Sequence, residues 1–291
     1  MTKTIDTLIQ DIYDTLEQGV DVNRADVQES LDKFARDARS AVATILQEGE
    51  RTGATRLRLS QIGKPDRQIW YGLRGKEGEP LDGQTRIKFL MGHLLEALLI
   101  SLTEVSGHTV EGEQDEVEVE GIVGHQDCII DDTLVDIKSA SSFAFKKFKE
   151  NRLSDDDPFG YIAQISAYAT KNNRKNAAFF AIDKNSGELT LCKVDDLEMI
   201  DAPSRVRHLK QVAETDTPPE RCYADTADGT SGNRKLAVGC VFCPYKHTCW
   251  SDANGGRGLR AFQYSNGVRY LTQVSKTPNV EELSINEKEK I

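Results

Sequence analysis

Apolar side chains in the first fifty residues recur at helical spacing. Val27, Leu31, Phe34, Ala38, Ala41, Val42 and Ile45 share one face of a run that Asp or Asn can cap. A basic loop around Gly53 follows, then a second helix expected from Gln84 to Leu102 with Ile87, Met91, Leu94, Leu98 and Leu102 as its apolar stripe. Between them, Gly72 to Gly83 is glycine-rich and charged, but lacks the Gly-Lys-Ser/Thr ending of a phosphate cradle. The pattern next predicts two strands, Val117 to Ile130 and Leu134 to Ser139, and a lysine-rich helix or loop over Phe143 to Arg152. Asp155-Asp156-Asp157-Pro158 predicts a helix start, with an Asp cap and Pro at the first helical position, running to about Thr170. Ala177 to Asp183 and Glu188 to Lys193 read as a hairpin around Asn185-Ser186-Gly187, and Val194 to Glu214 as a polar helix. A last hairpin is expected from Ala261 to Val274 around Ser265-Asn266-Gly267, before an acidic tail.

The chain has 291 residues, 38% hydrophobic and 29% charged, enough for a buried core and too apolar for a wholly disordered protein. The longest apolar run, Leu94 to Leu102, is broken by Glu96 and Ser101 and falls far short of the ~20 residues of a membrane span. With no basic-then-apolar leader, the expected location is the cytoplasm of a bacterium or an infected host cell. A net charge of −10 argues against a protein that coats DNA indiscriminately. Charge is unevenly placed, however: residues 51–90 carry nine Lys or Arg against four acids, and residues 111–136 carry ten acids and no Lys or Arg. Charge runs of this kind are otherwise simply solvated faces.

Candidate chemistry concentrates in Gly124 to Lys138. If Asp131 and Asp132 form a two-residue hairpin loop, Asp127 falls directly opposite Asp136, and alternation puts Lys138 on the same face with Val135 and Ile137 on the other. Two carboxylates about 5 Å apart at Cβ repel unless a cation lies between them. Mg²⁺ or Mn²⁺ bound through oxygen would supply that charge, and Lys138 could orient or help deprotonate a bound water. The alternative is a surface hairpin with solvated acids. Glu96 is a third available carboxylate, one turn from Gly92 and off the apolar stripe of its helix, where the alternative is a plain wet face. Gly92 would leave room beside Glu96 for a strand or ligand. Gln164 and Tyr168 share a helix face at i, i+4 and could hold a phosphate or a lysine by hydrogen bonds, although Tyr168 could equally be core.

In this order, Gly92-x3-Glu96, Gly124-x2-Asp127, Asp136-Ile137-Lys138 and Gln164-x3-Tyr168 resemble the PD-(D/E)XK nuclease superfamily in its RecB-like exonuclease branch, over roughly residues 55 to 250, and phage-type recombination nucleases in particular. The resemblance implies an α/β, restriction-endonuclease-like core with a mixed central sheet flanked by helices. It implies Glu96, Asp127 and Asp136 as ligands of Mg²⁺ or Mn²⁺, Lys138 as the group assisting the water, and Gln164 and Tyr168 as support for the site and the DNA. RecB-like members often carry His where Glu96 stands, so a carboxylate there would alter metal preference.

Cys222, Cys240, Cys243 and Cys249 have spacings suited to zinc or an iron–sulfur cluster. Cys243-Pro244-Tyr245-x3-Cys249 resembles the cluster motif of AddB-type and CRISPR-adaptation nucleases, which implies a [4Fe-4S] staple. Asp66 stands where that family's first cysteine would sit, so Cys222 would replace it and Zn²⁺ remains the alternative, with His247 a further possible ligand. Cys128 and Cys192 read as buried, inert thiols. Arg56, Arg58, Lys64 and Arg67, and Lys146 and Lys147 after the core lysine, could line a DNA path. Trp70 and Tyr71 fit core packing better than base stacking.

The expected organisation is an N-terminal helical segment (1–50), a nuclease core (51–215), a cysteine module (216–255) and a C-terminal hairpin and tail (256–291). The expected activity is metal-dependent exonucleolytic hydrolysis of DNA ends, linear or single-stranded, in recombination, repair or phage replication, with a single-strand annealing or recombination protein as a possible partner and no membrane role. The alternatives are an endonuclease on the same site, a non-catalytic DNA-binding or assembly subunit, and a redox or iron–sulfur sensor.

Overall fold

The computed structural model describes residues 3–47, 56–171 and 176–284. They fall into two compact units. The first takes in residues 3–47, Leu57–Lys64 and Gln84–Leu209; the second takes in Arg56, Pro65–Gly83 and residues 210–284. The basic loop around Gly53 lies outside the described residues, as does the acidic end from 285 onward.

The first unit is a mixed α/β structure, consistent with a restriction-endonuclease-like core. Its helices are α1 (Leu8–Gln18), α2 (Ala25–Gln47), α4 (Gly83–Val105), α5 (Ser142–Lys149) and α6 (Tyr161–Lys171); α3 (Asp66–Leu73) belongs to the second unit, and α7 (Ala202–Glu214) closes the series. The central sheet runs in the order β1 (Val110–Glu111), β4 (Cys128–Ile130), β5 (Thr133–Ala140), β6 (Ala177–Asp183), β7 (Leu189–Lys193). Only β5 and β6 pair in parallel; the other neighbours are antiparallel. β6 reads AAFFAID without alternation because it is buried on both faces. On one face Leu8, Ile12, Leu99 and Ile100 pack against Ile130, Val135, Ile137, Phe180 and Ile182. On the other, the rings of Phe148 and Tyr161 close over Phe179.

Four sequence expectations need correction. The strand Val117 to Ile130 is three strands: β2 (Glu116–Val119) and β3 (Ile122–His125) form their own hairpin before β4. The break is Glu120-Gly121, both at positive φ (51° and 74°), the conformation of a tight two-residue turn. On α4 the expected stripe is off: Ile87 and Met91 are exposed, and the core contacts come from Leu99 and Ile100, with Leu95 and Leu102 partly buried beside them. Pro158 does not open α6, which starts at Tyr161; Gly160 sits at φ 76° and backs onto the Gly63 backbone, so the chain turns before it coils. Asp157 still caps that helix, accepting from the N–H groups of Gly160, Tyr161 and Ile162. Finally, Val194 to Glu214 is a short 3-10 turn followed by α7, with Pro203 in the helix's first turn. The 177–193 hairpin forms as expected, and α2 forms but buries only Val27 and Ser30.

The second unit carries an antiparallel sheet ordered β12 (Glu282–Leu283), β10 (Arg260–Tyr264), β11 (Gly267–Gln273), β9 (Arg234–Lys235), β8 (Thr226–Ala227). The β10–β11 hairpin is the expected one; β8 and β9 occupy the spacer between Cys222 and Cys240. Trp70 and Tyr71 are core residues here, packed with Val212 and Tyr245, and the Trp70 indole donates to the Thr215 carbonyl at 2.9 Å. Among the described residues, no helix is long and apolar enough to cross a membrane.

Candidate active site

The turn between β4 and β5 sets the site. Asp131 and Asp132 both adopt left-handed backbone (φ 45° and 62°), and the register pairs Ile130 with Thr133, Ile129 with Leu134 and Cys128 with Val135. One step beyond the ladder, Asp127 lies opposite Asp136. Its Oδ2 accepts the Ile137 backbone N–H at 2.7 Å, so the side chain takes the place of a ladder carbonyl and is fixed against β5. Asp136 is 1% exposed, beside Phe179 in the β5–β6 register. Val135 and Ile137 point into the opposite core.

Glu96 reaches the same acids from α4. Gln114, in the loop after β1, donates its amide to Glu96 Oε1 at 3.1 Å and its backbone N–H to the Asp127 carbonyl at 3.1 Å. Gln114 therefore ties the helical carboxylate to the backbone of Asp127, a role the sequence reading did not find because an exposed loop Gln carries no periodic signal. A Cβ on Gly92 would meet only Ser139 Oγ, at 3.7 Å, so that position leaves open room rather than a required close approach.

Electrostatics mark the three acids as a unit. Burial pushes the Asp127 carboxyl well above the usual range, and the neighbouring Asp136 and Glu96 charges push the same way. Burial likewise raises Asp136, against the pull of Lys138, and raises Glu96 against His93 and Lys138. The Lys138 ammonium forms an ion pair with Asp136 Oδ2. Burial alone would lower its pKa, but the Asp136 and Asp127 charges more than reverse this, and the net shift is upward. In this arrangement the Lys138 ammonium serves as a charge and hydrogen-bond donor to Asp136. Its Nζ sits 5.0 Å from the centroid of the Tyr161 ring, a second contact the sequence reading missed.

Asp136 Oδ2 meets the Lys138 ammonium, while Oδ1 is buried with no hydrogen-bond partner among the described residues. A buried carboxylate needs more than one ion-pair contact to offset its lost hydration. An unpartnered carboxylate oxygen on Asp136, beside the Asp127 and Glu96 carboxylates, offers the hard oxygen donors a divalent cation takes. Their side chains, as they stand, are not drawn into the ligand geometry of a single ion; among the described residues no three His, Cys, Asp or Glu groups are.

Tyr168 is fully buried, and burial pushes its phenol up to about 12. Gln164 Nε2 donates to its Oη at 3.4 Å, so the expected i, i+4 pair is in contact. Gly124 explains how the ring fits: a Cβ there would stand 2.7 Å from Leu59 Cβ and 3.0 Å from Tyr168 Oη.

The basic residues separate. Arg56, Arg58 and Lys146 are exposed. Lys147 is paired with Asp156 at 2.5 Å, and the Lys64 backbone carbonyl accepts from Arg205. Arg67 is half-buried, and its guanidinium donates to the Pro219 carbonyl and to Tyr71 Oη within the second unit.

In that second unit Cys240, Cys243 and Cys249 are half-buried and Cys222 is exposed, all with free thiols. Burial pushes Cys240 up to about 11, with the charges of Cys243, Cys249 and Cys222 adding to the rise. The thiols lie near enough for their charges to interact, but among the described residues no three of them are gathered into the geometry of a metal site. His247 Nε2 lies 2.8 Å from Glu79 Oε1. Cys128 and Cys192 are buried.

No family model matches the chain, and neither does any curated protein. Solved structures that align with it include SSO0001, at 13% identity and a TM-score of 0.40 over 72% of this chain and 91% of that one. LHK-Exo in complex with dAMP aligns at 16% identity and a TM-score of 0.33, over 62% of this chain and 87% of that one.

Proposed function

We propose that the chain is a divalent-metal-dependent deoxyribonuclease that hydrolyses phosphodiester bonds, working from DNA ends. The observation that carries this reading is Asp136: a buried carboxylate with one oxygen on the Lys138 ammonium and the other without a hydrogen-bond partner, flanked by two further acids. Glu96, Asp127 and Asp136 would hold Mg²⁺ or Mn²⁺. Such an ion, when bound, activates water and offsets charge on the leaving oxygen. The chain's own groups do the rest. Gln114 and the Ile137 N–H hold two of the acids in place. Lys138 presents a fixed positive charge and donor protons to a phosphate oxygen or the attacking water, and Tyr161 beneath it keeps the ammonium from swinging out. Tyr168 and Gln164 brace β3 behind the acids.

The end-directed mode, and a role in recombination, repair or phage replication beside an annealing or recombination protein, rest on the motif resemblance in the sequence. The cysteine module is proposed to hold a [4Fe-4S] cluster, with Zn²⁺ as the alternative. Digestion of end-labelled linear DNA beside a covalently closed circle, in Mg²⁺ or Mn²⁺, tests the proposal. Loss of the linear substrate alone, abolished by Asp136→Ala, is the expected result. Cutting of both substrates moves the reading to an endonuclease. No metal-dependent cutting of either leaves a DNA-binding or assembly subunit.

A further inference from the structure

Resting on the nuclease reading above, we propose that Phe159 seats an unpaired nucleobase beside the carboxylate cluster, so that the strand being cut is single-stranded or melted at that point. Phe159 is 50% exposed, yet its ring is stacked on Tyr161, with centroids 5.5 Å apart and planes 27° from parallel. Tyr161 in turn lies under Lys138 Nζ, and Lys138 is paired with Asp136. An aromatic step therefore leads from solvent to the ammonium beside the acids, and its outermost ring is the one left half bare.

The ring stands on a fixed turn. Pro158 precedes it, Gly160 follows at φ 76°, and Asp157 accepts the N–H groups of Gly160 and Tyr161 at 2.9 and 3.0 Å. A ring held this way loses little freedom when a second ring stacks on it. Its surroundings have the mixed character of a single-strand track. Phe143, 78% exposed, lies 5.6 Å from Lys147 Nζ; Lys147 also donates to the Asp156 carbonyl at 2.9 Å, close in sequence to Phe159; and Lys146 is exposed next to it. Cations interleaved with open aromatic faces bind unpaired bases and phosphates together. A base inside a duplex has both faces covered by its neighbours and cannot use such a ring without leaving the stack.

The test has a binding arm and a cleavage arm. In the first, Asp136→Asn and Asp136→Asn/Phe159→Ala proteins are mixed with oligonucleotides carrying 2-aminopurine at each of the first three positions from either end. Expected is quenching at one position in the Phe159 protein, at least about twofold stronger than in the Phe159→Ala protein. In the second, wild type and Phe159→Ala digest the same DNA with and without an abasic nucleotide at that position. Loss of the ring and loss of the base should each raise KM by roughly 5- to 150-fold, and the two together no further. Equal fluorescence in both proteins, no change on adding protein, or losses that multiply in the double perturbation each overturn the proposal. Wild type that cuts nothing defeats the nuclease reading instead, and the fluorescence arm still reports on the stacking by itself.

Discussion

Removing Lys138 isolates Asp136, and the consequence can be sized from the structure. Asp136 is 1% exposed, and its one polar side-chain partner among the described residues is the Lys138 ammonium at Oδ2. Deleting one member of a buried pair generally costs about 3–5 kcal/mol, because the survivor remains desolvated and uncompensated. Lys138→Ala should therefore destabilise the metal-free protein by about that amount. Asp136→Ala also leaves a charge unpaired, but it relieves repulsion with Asp127 and Glu96, and the freed lysine can extend toward water, so its cost should be smaller. In the double substitution no isolated charge remains, and the coupling between the two changes should reach about 2 kcal/mol. Urea titrations of the four proteins in EDTA, compared at matched m-values, measure this directly. Repeating them in Mg²⁺ adds a second readout: wild type and Lys138→Ala should both gain stability, by about 2.7 kcal/mol at a hundredfold excess over Kd, while Asp136→Ala gains little. Additivity of the two single substitutions within about 0.5 kcal/mol would refute the pairing. An equal Mg²⁺ response with and without Asp136 would refute its role as a ligand.

Gly124→Ala puts a methyl 2.7 Å from Leu59 Cβ and 3.0 Å from Tyr168 Oη, and should cost about 1–3 kcal/mol in thermal or urea unfolding; an unchanged midpoint would show that the ring does not need that gap. Gln114→Ala removes the amide that donates to Glu96 and should weaken Mg²⁺ or Mn²⁺ affinity about 10- to 100-fold by calorimetry, with unaltered affinity counting against the tether. In the second unit, His247 and Lys246 overcome the effect of burial and hold the Glu79 carboxyl down to about 2. A depressed carboxyl stabilises the fold above its ordinary pKa of 4.5 and loses that contribution as pH falls toward 2. Glu79→Gln should therefore cost up to about 3 kcal/mol at pH 7 and flatten the acid limb of the stability profile, and a limb identical to wild type would disprove the assignment.

The register of the β4–β5 hairpin was legible because a two-residue Asp131-Asp132 turn admits one pairing, and that pairing alone puts Asp127 opposite Asp136 and Lys138 beside it. The Gln164–Tyr168 contact was legible for a similar reason, since i, i+4 spacing on a helix leaves little choice of neighbour. What stayed hidden depends on contacts between segments distant in sequence. The expected α4 stripe failed because helical periodicity says which residues share a face, but not which end of the face is covered: Leu99 and Ile100 meet α1 and the sheet, while Ile87 and Met91 meet solvent. Arg67 stood out by charge alone, and only the fold shows its hydrogen bonds to Pro219 and Tyr71. Gln114 and Tyr161 are the sharper cases. Neither residue type announces chemistry, yet one fixes a carboxylate and the other fixes the ammonium, each from a loop or helix start whose position follows from a turn rather than from a pattern. The acids and the lysine could thus be named from local rules, while the groups that hold them still could be found only once the chain had closed around them.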